Sequence, residues 1–203
     1  MHIELLVEEP SAEALLRGLV PRIVGREISF EIHVHQGKKD LFAKLPGRLR
    51  GYRQWLPADW RIVVLVDEDR QDCRAIKRRM EDAARGARLA TPASPKPGAA
   101  VQVWNRVAIE ELEAWYFGDV DALVKAFPRV SRNLAQQAKY RNPDAIRGGT
   151  WEVLQRVLQR AGYYLGGLNK IHLARTLSPH MDPDRNRSKS FCLLRDTLRR
   201  LAS

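Results

Sequence analysis

Residues 61–69, RIVVLVDED, set an unbroken apolar run directly against a cluster of acids. Ile62–Val66 is apolar at every position, the mark of a strand buried on both faces of a parallel sheet. Parallel neighbours are joined by long crossovers, usually helices, so this strand points to an α/β fold. The flanking sequence agrees. HIELLV (2–7) is short and β-compatible, and PSAEALLRGLVPRIV carries apolar residues at 15, 16, 19, 20, 23 and 24, which is helical spacing with Ser11 as its expected N-cap. Residues 28–35 alternate, with Ile28, Phe30, Ile32 and Val34 on one face. Lys39 to Trp55 reads as a helix that Pro46 and Gly47 should kink or divide. A polar helix is expected near 70–86, a Pro/Ala/Gly loop at 90–100, a strand at 101–108, and a helix at IEELEAWYFG. Beyond residue 120 no strand is expected, only helices at 151–161, 168–177 and 189–202. The expected architecture is a central, mainly parallel sheet flanked by helices over residues 1–119, with a helical extension over 120–203 packed on it.

Charge follows the same division. Residues 1–119 hold 19 basic and 18 acidic side chains, whereas 120–203 hold 16 basic and 6 acidic. A concentrated positive field attracts polyanions, of which nucleic acid is the commonest in cytoplasm. No apolar run approaches the ~18–20 residues of a membrane span, and MHIELLVEEPSAE has acids where a signal peptide needs positive charge. The two cysteines, Cys73 and Cys192, lie far apart, which excludes a disulfide scaffold or a multi-cysteine zinc site. A cytoplasmic protein is expected.

Three groups of carboxylates fall at expected strand ends: Glu8; Asp67 and Asp69; and Glu110, Glu111 and Glu113. Functional sites of open α/β sheets gather beyond the carboxyl ends of their strands, and parallel strands would bring all three groups to one edge. Crowded carboxylates require protons or a cation, and a hard divalent ion such as Mg²⁺ takes a few carboxylates and keeps its waters. Solvated strand-end acids are the plain alternative. Glu110 and Glu113 should share a helix face, with Glu111 turned elsewhere. Glu9, Glu13 and Glu68 read as solvated, and Asp119 as a helix cap. His33 and His35 read as exposed or packed strand histidines, with no nearby Cys or third His to support zinc, and Trp104, Trp115 and Trp151 as core or contact residues. Lys170, Arg185, Arg187 and Lys189 are candidate phosphate contacts, against a default of solvated charge.

Glu8 in LLVEEPSAE, with Asp67 and Asp69 in VVLVDED, resembles the Toprim superfamily signature of a Glu after the first strand and an Asp-x-Asp after a later one. With ELEAWYFGD, GGTWE and NRSKSF, nearly the full chain is similar to a bacterial Toprim-like family of unknown function related to the OLD and RloB-type nucleases. That resemblance implies a Mg²⁺- or Mn²⁺-dependent nuclease acting on DNA or RNA. It also implies an ABC/AAA-type ATPase partner in a phage-defence system. Glu8, Asp67 and Asp69 would hold the metal, Glu113 would assist, and Lys170 would stabilise developing charge. One departure is Glu9, where many Toprim proteins have a glycine. Two other classes stay open: a non-catalytic subunit that binds nucleic acid and an ATPase, and a Mg²⁺-dependent phosphatase or nucleotide-binding enzyme.

Overall fold

The computed structural model describes residues 1–203. Four strands, β1 (His2–Val7), β2 (Ser29–Val34), β3 (Trp60–Asp67) and β4 (Val103–Ala108), form one all-parallel sheet in the order β2-β1-β3-β4. Helices α1 (Pro10–Val24), α2 (Lys38–Trp55) and α3 (Cys73–Gly86) make the crossovers. After β4 come α4 (Ala114–Gly118), α5 (Val120–Ala126), three short 3₁₀ turns, α6 (Thr150–Arg160), α7 (Lys170–Leu177) and α8 (Lys189–Ala202). The expected α/β class and the absence of strands after residue 120 both hold. No helix is long and apolar enough to cross a membrane.

Strand alternation sorts the sheet's side chains into two layers. Leu6, Ile62, Val64, Val66, Val103 and Val107 face α2 and α3. Ile3, Leu5, Val7, Val63, Leu65 and Trp104 face the other way, into one core with α1 and the helices that follow β4. The cationic C-terminal part thus shares one face of the sheet with α1. Each fully buried leucine there is worth ~1.5–3 kcal/mol of apolar burial, and Leu173, Leu177, Leu194 and Leu198 are all fully buried.

Local chemistry corrects several expectations. Pro46 does not divide its helix: α2 runs unbroken from Lys38 to Trp55. A proline costs a helix one hydrogen bond and some crowding, and the buried stripe Leu41, Phe42, Leu45, Leu49 and Tyr52 holds α2 in place. Ser11 is not the cap of α1. The helix starts one residue earlier at Pro10, a favoured first position, and the Ser11 hydroxyl donates to Glu9 Oε1 at 2.5 Å. IEELEAWYFG is helical only over Ala114–Gly118, because Glu110 takes a positive φ of 59° that ends regular structure.

The ELEAWYFGD and NRSKSF segments lock onto each other. Asn186 Nδ2 donates to the Trp115 carbonyl at 2.8 Å, and Trp115 Nε1 donates to Ser190 Oγ at 2.9 Å. Asp119 accepts from Ala122 N as the N-cap of α5, from Asp182 N at 2.7 Å, and from both arms of Arg185. Gly118 sits under this knot; a Cβ there would stand 2.0 Å from Asn186 Oδ1. Asp144 ties in the start of α8, accepting from the Ser188 and Ser190 hydroxyls and from Lys189 N.

Candidate acidic site at the carboxyl edge of the sheet

The carboxylate cluster follows from strand register. Asp67 continues the face of Val63 and Leu65, so its side chain enters the layer shared with the C-terminal half and is only 8% exposed. Glu8 leaves β1 next door, and its Oε2 accepts the Asp67 backbone N–H at 3.3 Å. Glu113, 1% exposed, reaches the same spot from the turn after β4.

Two lysines supply the counter-charge. Lys38 opens α2 beyond the end of β2; its Nζ pairs with Asp69 Oδ2 at 2.9 Å and donates to the Glu68 carbonyl at 3.1 Å. Lys170, the first residue of α7, sits 3.5 Å from Glu113 Oε1 and 3.6 Å from Glu9 Oε1, over the Trp151 ring at 4.9 Å. Five carboxyl groups (Glu8, Glu9, Asp67, Asp69 and Glu113) therefore share two cations.

That imbalance appears in the protonation energetics. Burial, then the neighbouring Asp69, pushes Glu8 up to about 7 against the pull of Lys38. Burial raises Glu113 to about 7 although Lys170 opposes it. Asp67 is driven well above the usual carboxylate range, first by burial and then by Glu113 and Glu8. Burial disfavours the charge on Lys170, but Glu113 and Glu9 outweigh it and raise its pKa. Anionic groups held this way are relieved by protons or by a cation.

The chemistry of the donor set fits a hard divalent ion. Every donor is a carboxylate oxygen, and Glu113 Oε2 is buried with no hydrogen-bond partner. No three His, Cys, Asp or Glu side chains stand together at metal-holding spacing in this conformation. Lys38 holds Asp69, and Lys170 holds Glu113 and Glu9.

Some residues fall elsewhere than the sequence indicates. Glu110 and Glu113 do not share a helix face, since the turn at Glu110 separates them; Glu110 N–H donates to Glu68 Oε2 at 3.0 Å, 4.0 Å separates Glu110 Oε2 from Arg70 Nε, and Glu113 turns inward. Glu68 and Glu9 are accordingly not merely solvated. Glu111 caps α6, accepting from Thr150 Oγ1 at 2.9 Å and Trp151 N at 2.8 Å. Arg185 is committed to Asp119, whereas Arg187 and Lys189 are exposed and without ion-pair partners. His35 is buried, with Nδ1 2.9 Å from the Val7 carbonyl, and His33 contacts Glu4 beside Tyr52 and His2. Sequence reasoning missed Lys38. The rule that flagged Glu8 applies equally to β2, where Gly37-Lys38 follows the strand.

Glu113→Gln is expected to stabilise the protein at alkaline pH in EDTA. Glu113 titrates near 4.5 when unfolded and near 7 when folded. The native state thus binds a proton that the unfolded chain has lost, and stability falls as pH rises through that window. The cost, complete above pH 7, is about 3 kcal/mol at most. Denaturant melts should find the variant more stable by about 2–3 kcal/mol at pH 8, a figure that already includes the opposing pull of Lys170, and nearly equal near pH 4.5. A less stable variant at pH 8 would mean that the lysine pair outweighs burial.

Together these features define an α/β protein with a four-stranded parallel sheet and a buried, under-neutralised acidic cluster at its carboxyl edge. The chain belongs to the family described as "Domain of unknown function (DUF4276)", whose model matches residues 7–201. No curated protein and no solved structure matches the chain.

Proposed function

We propose that the protein is a divalent-metal-dependent phosphodiesterase acting on nucleic acid, a nuclease of Toprim type. The observation that carries this reading is the Glu8–Asp67–Glu113 cluster, which holds more buried carboxylate than its lysines neutralise. The Toprim resemblance of Glu8, Asp67 and Asp69 and the cationic C-terminal half support it. Glu8, Asp67 and Asp69 would hold Mg²⁺ or Mn²⁺, with Glu113 as a further ligand or orienting group. Such an ion, when bound, lowers the pKa of water and offsets charge on a scissile phosphate. Where Glu8 is not a pure ligand, it would serve as the general base. Lys170, partly buried and cationic beside Glu113, would stabilise developing negative charge. The companion proposal, an ABC/AAA-type ATPase partner in phage defence, rests on the family resemblance alone.

The test is incubation with supercoiled, linear and single-stranded DNA and with RNA, in Mg²⁺, Mn²⁺ or EDTA. Metal-dependent cleavage is expected from the wild type and not from Asp67→Ala/Asp69→Ala. Lys38 and Lys170 lend weight to a second reading, since side chains that already neutralise the carboxylates suit a non-catalytic subunit. Absence of cleavage on every substrate, with the ATPase restored, would favour it. Turnover of a small phosphoester but not of polymer would instead identify a phosphatase.

A further inference from the structure

The strongest unassigned feature lies in the C-terminal half, on the exposed side of α6. A cavity of about 430 Å³ is bounded by Lys139, Arg147, Arg156 and Arg160, with Tyr140, Ile146 and Val153 forming its apolar wall. A second depression of about 210 Å³ shares Lys139, Tyr140 and Arg160 with it and adds Arg129. The two adjoin at these three shared residues, as neighbouring parts of a cationic groove. No carboxylate lines either part.

The cations are also unpaired. Arg17, Lys44, Arg85, Arg185 and Arg199 each engage a carboxylate elsewhere on the surface. Lys139, Arg147, Arg156 and Arg160 engage none, and all four are exposed. Arg156 and Arg160 lie one turn apart on α6, ~6 Å along its axis. Glu152 precedes them on the same face yet pairs with neither; it belongs to a depression with Asp69, Arg70, Glu110 and Glu111. Concentrated like charge without counter-charge repels itself and is relieved by an anionic ligand.

The groove is connected to the acidic edge. Gly148 and Gly149 turn the chain between Arg147 and α6 at φ of 88° and 78°. A Cβ at Gly149 would stand 2.8 Å from an Arg70 guanidinium nitrogen. Arg70 directly follows Asp69, and Glu111 of the acidic edge caps α6 itself. One rigid helix therefore has its start fixed beside the carboxylates and its exposed side in the groove.

We infer that this groove binds the sugar–phosphate backbone of a single nucleic-acid strand and leads it to the acidic edge. The identity of the polyanion rests on the reading above; the anion site itself rests on the cations. Tyr140 is only 4% exposed and is a wall, not a stacking platform. Recognition is thus through phosphate and independent of base sequence. Depressions of about 430 and 210 Å³ take a few nucleotides of one strand and are too small to admit a duplex.

Binding of a labelled single-stranded oligonucleotide of about 12 residues, its duplex and a mononucleotide is measured in EDTA, where cleavage cannot intervene. Arg156→Glu/Arg160→Glu and Lys139→Glu/Arg147→Glu are compared with Arg26→Glu/Arg53→Glu, exposed cations of the sheet half that carry the same charge change. Thermal melts confirm folding of each variant. Groove variants should bind the strand about tenfold or more weakly, with the control pair within about twofold of wild type. Equal losses in the control pair would overturn the groove in favour of a diffuse field. A mononucleotide or duplex binding as tightly as the strand would overturn the single-strand assignment. Failure to cleave, with groove-dependent binding intact, would sink the nuclease reading and leave the groove standing.

Discussion

Glu8→Gln is expected to abolish most metal-dependent cleavage while leaving the protein no less stable. Glutamine keeps the volume of the side chain and its oxygen can still accept the Asp67 N–H. It cannot take a proton and carries no charge. Loss of a positioned general base costs about 10²–10⁴ in rate, and a neutral amide is also a poorer ligand for a hard cation, so cleavage should fall by at least that much, with more Mg²⁺ needed to reach the residual rate. Stability should move the other way. A carboxyl held near 7 when folded and near 4.5 when unfolded opposes folding at higher pH, so in EDTA at pH 8 the variant should melt at or above the wild-type temperature. Paired melts and rate measurements check both directions. Full activity in the variant would reduce Glu8 to a partner for the Asp67 amide.

Asp119→Ala should be the most damaging single change to the fold away from that site. Asp119 is 1% exposed and gathers the Ala122 and Asp182 amides and the Arg185 guanidinium at one point. Alanine would leave two amides without their acceptor and a half-buried cation without its main partner. Removing one side of a buried ion pair costs about 3–5 kcal/mol, and orphaned amides add to it. Chemical denaturation should show a loss in that range. Arg185→Ala leaves the amides bonded to Asp119 and should cost less. Equal effects from the two variants would mean that the ion pair, and not the amide caps, holds the knot.

The sheet was legible because its signals are local and redundant. Ile62–Val66 can hardly be anything but a buried strand, and the acids beyond it follow from the end of that strand. Burial pattern also outranked a single breaker: Pro46 sits within a helix whose apolar stripe holds it in place. What could not be read depends on contacts distant in sequence. Nothing near Glu113 announces Lys170, 57 positions later, or the apolar layer that buries it. Glu111 looks like its neighbours until α6 arrives to be capped. Arg185 looked free because its partner, Asp119, lies 66 positions earlier. The ELEAWYFGD and NRSKSF segments entered the sequence reading only through a resemblance, and only the structure shows that they hold each other.

The apolar layer on the α1 face of the sheet has a consequence for how the chain is made. Ile3 and Leu198 belong to the same core cluster, and the Arg106 side chain of β4 hydrogen-bonds Thr197 of α8. A ribosome delivers residues from the N-terminus onward, and domains generally fold as units. The four strands and α1 therefore emerge well before the helices that complete the cover of this face. During that interval the β4 end of the face, with Trp104, lacks its α8 cover, a surface on which aggregation begins. Core closure waits for α8, so a helix made late completes the burial of a strand made well before it.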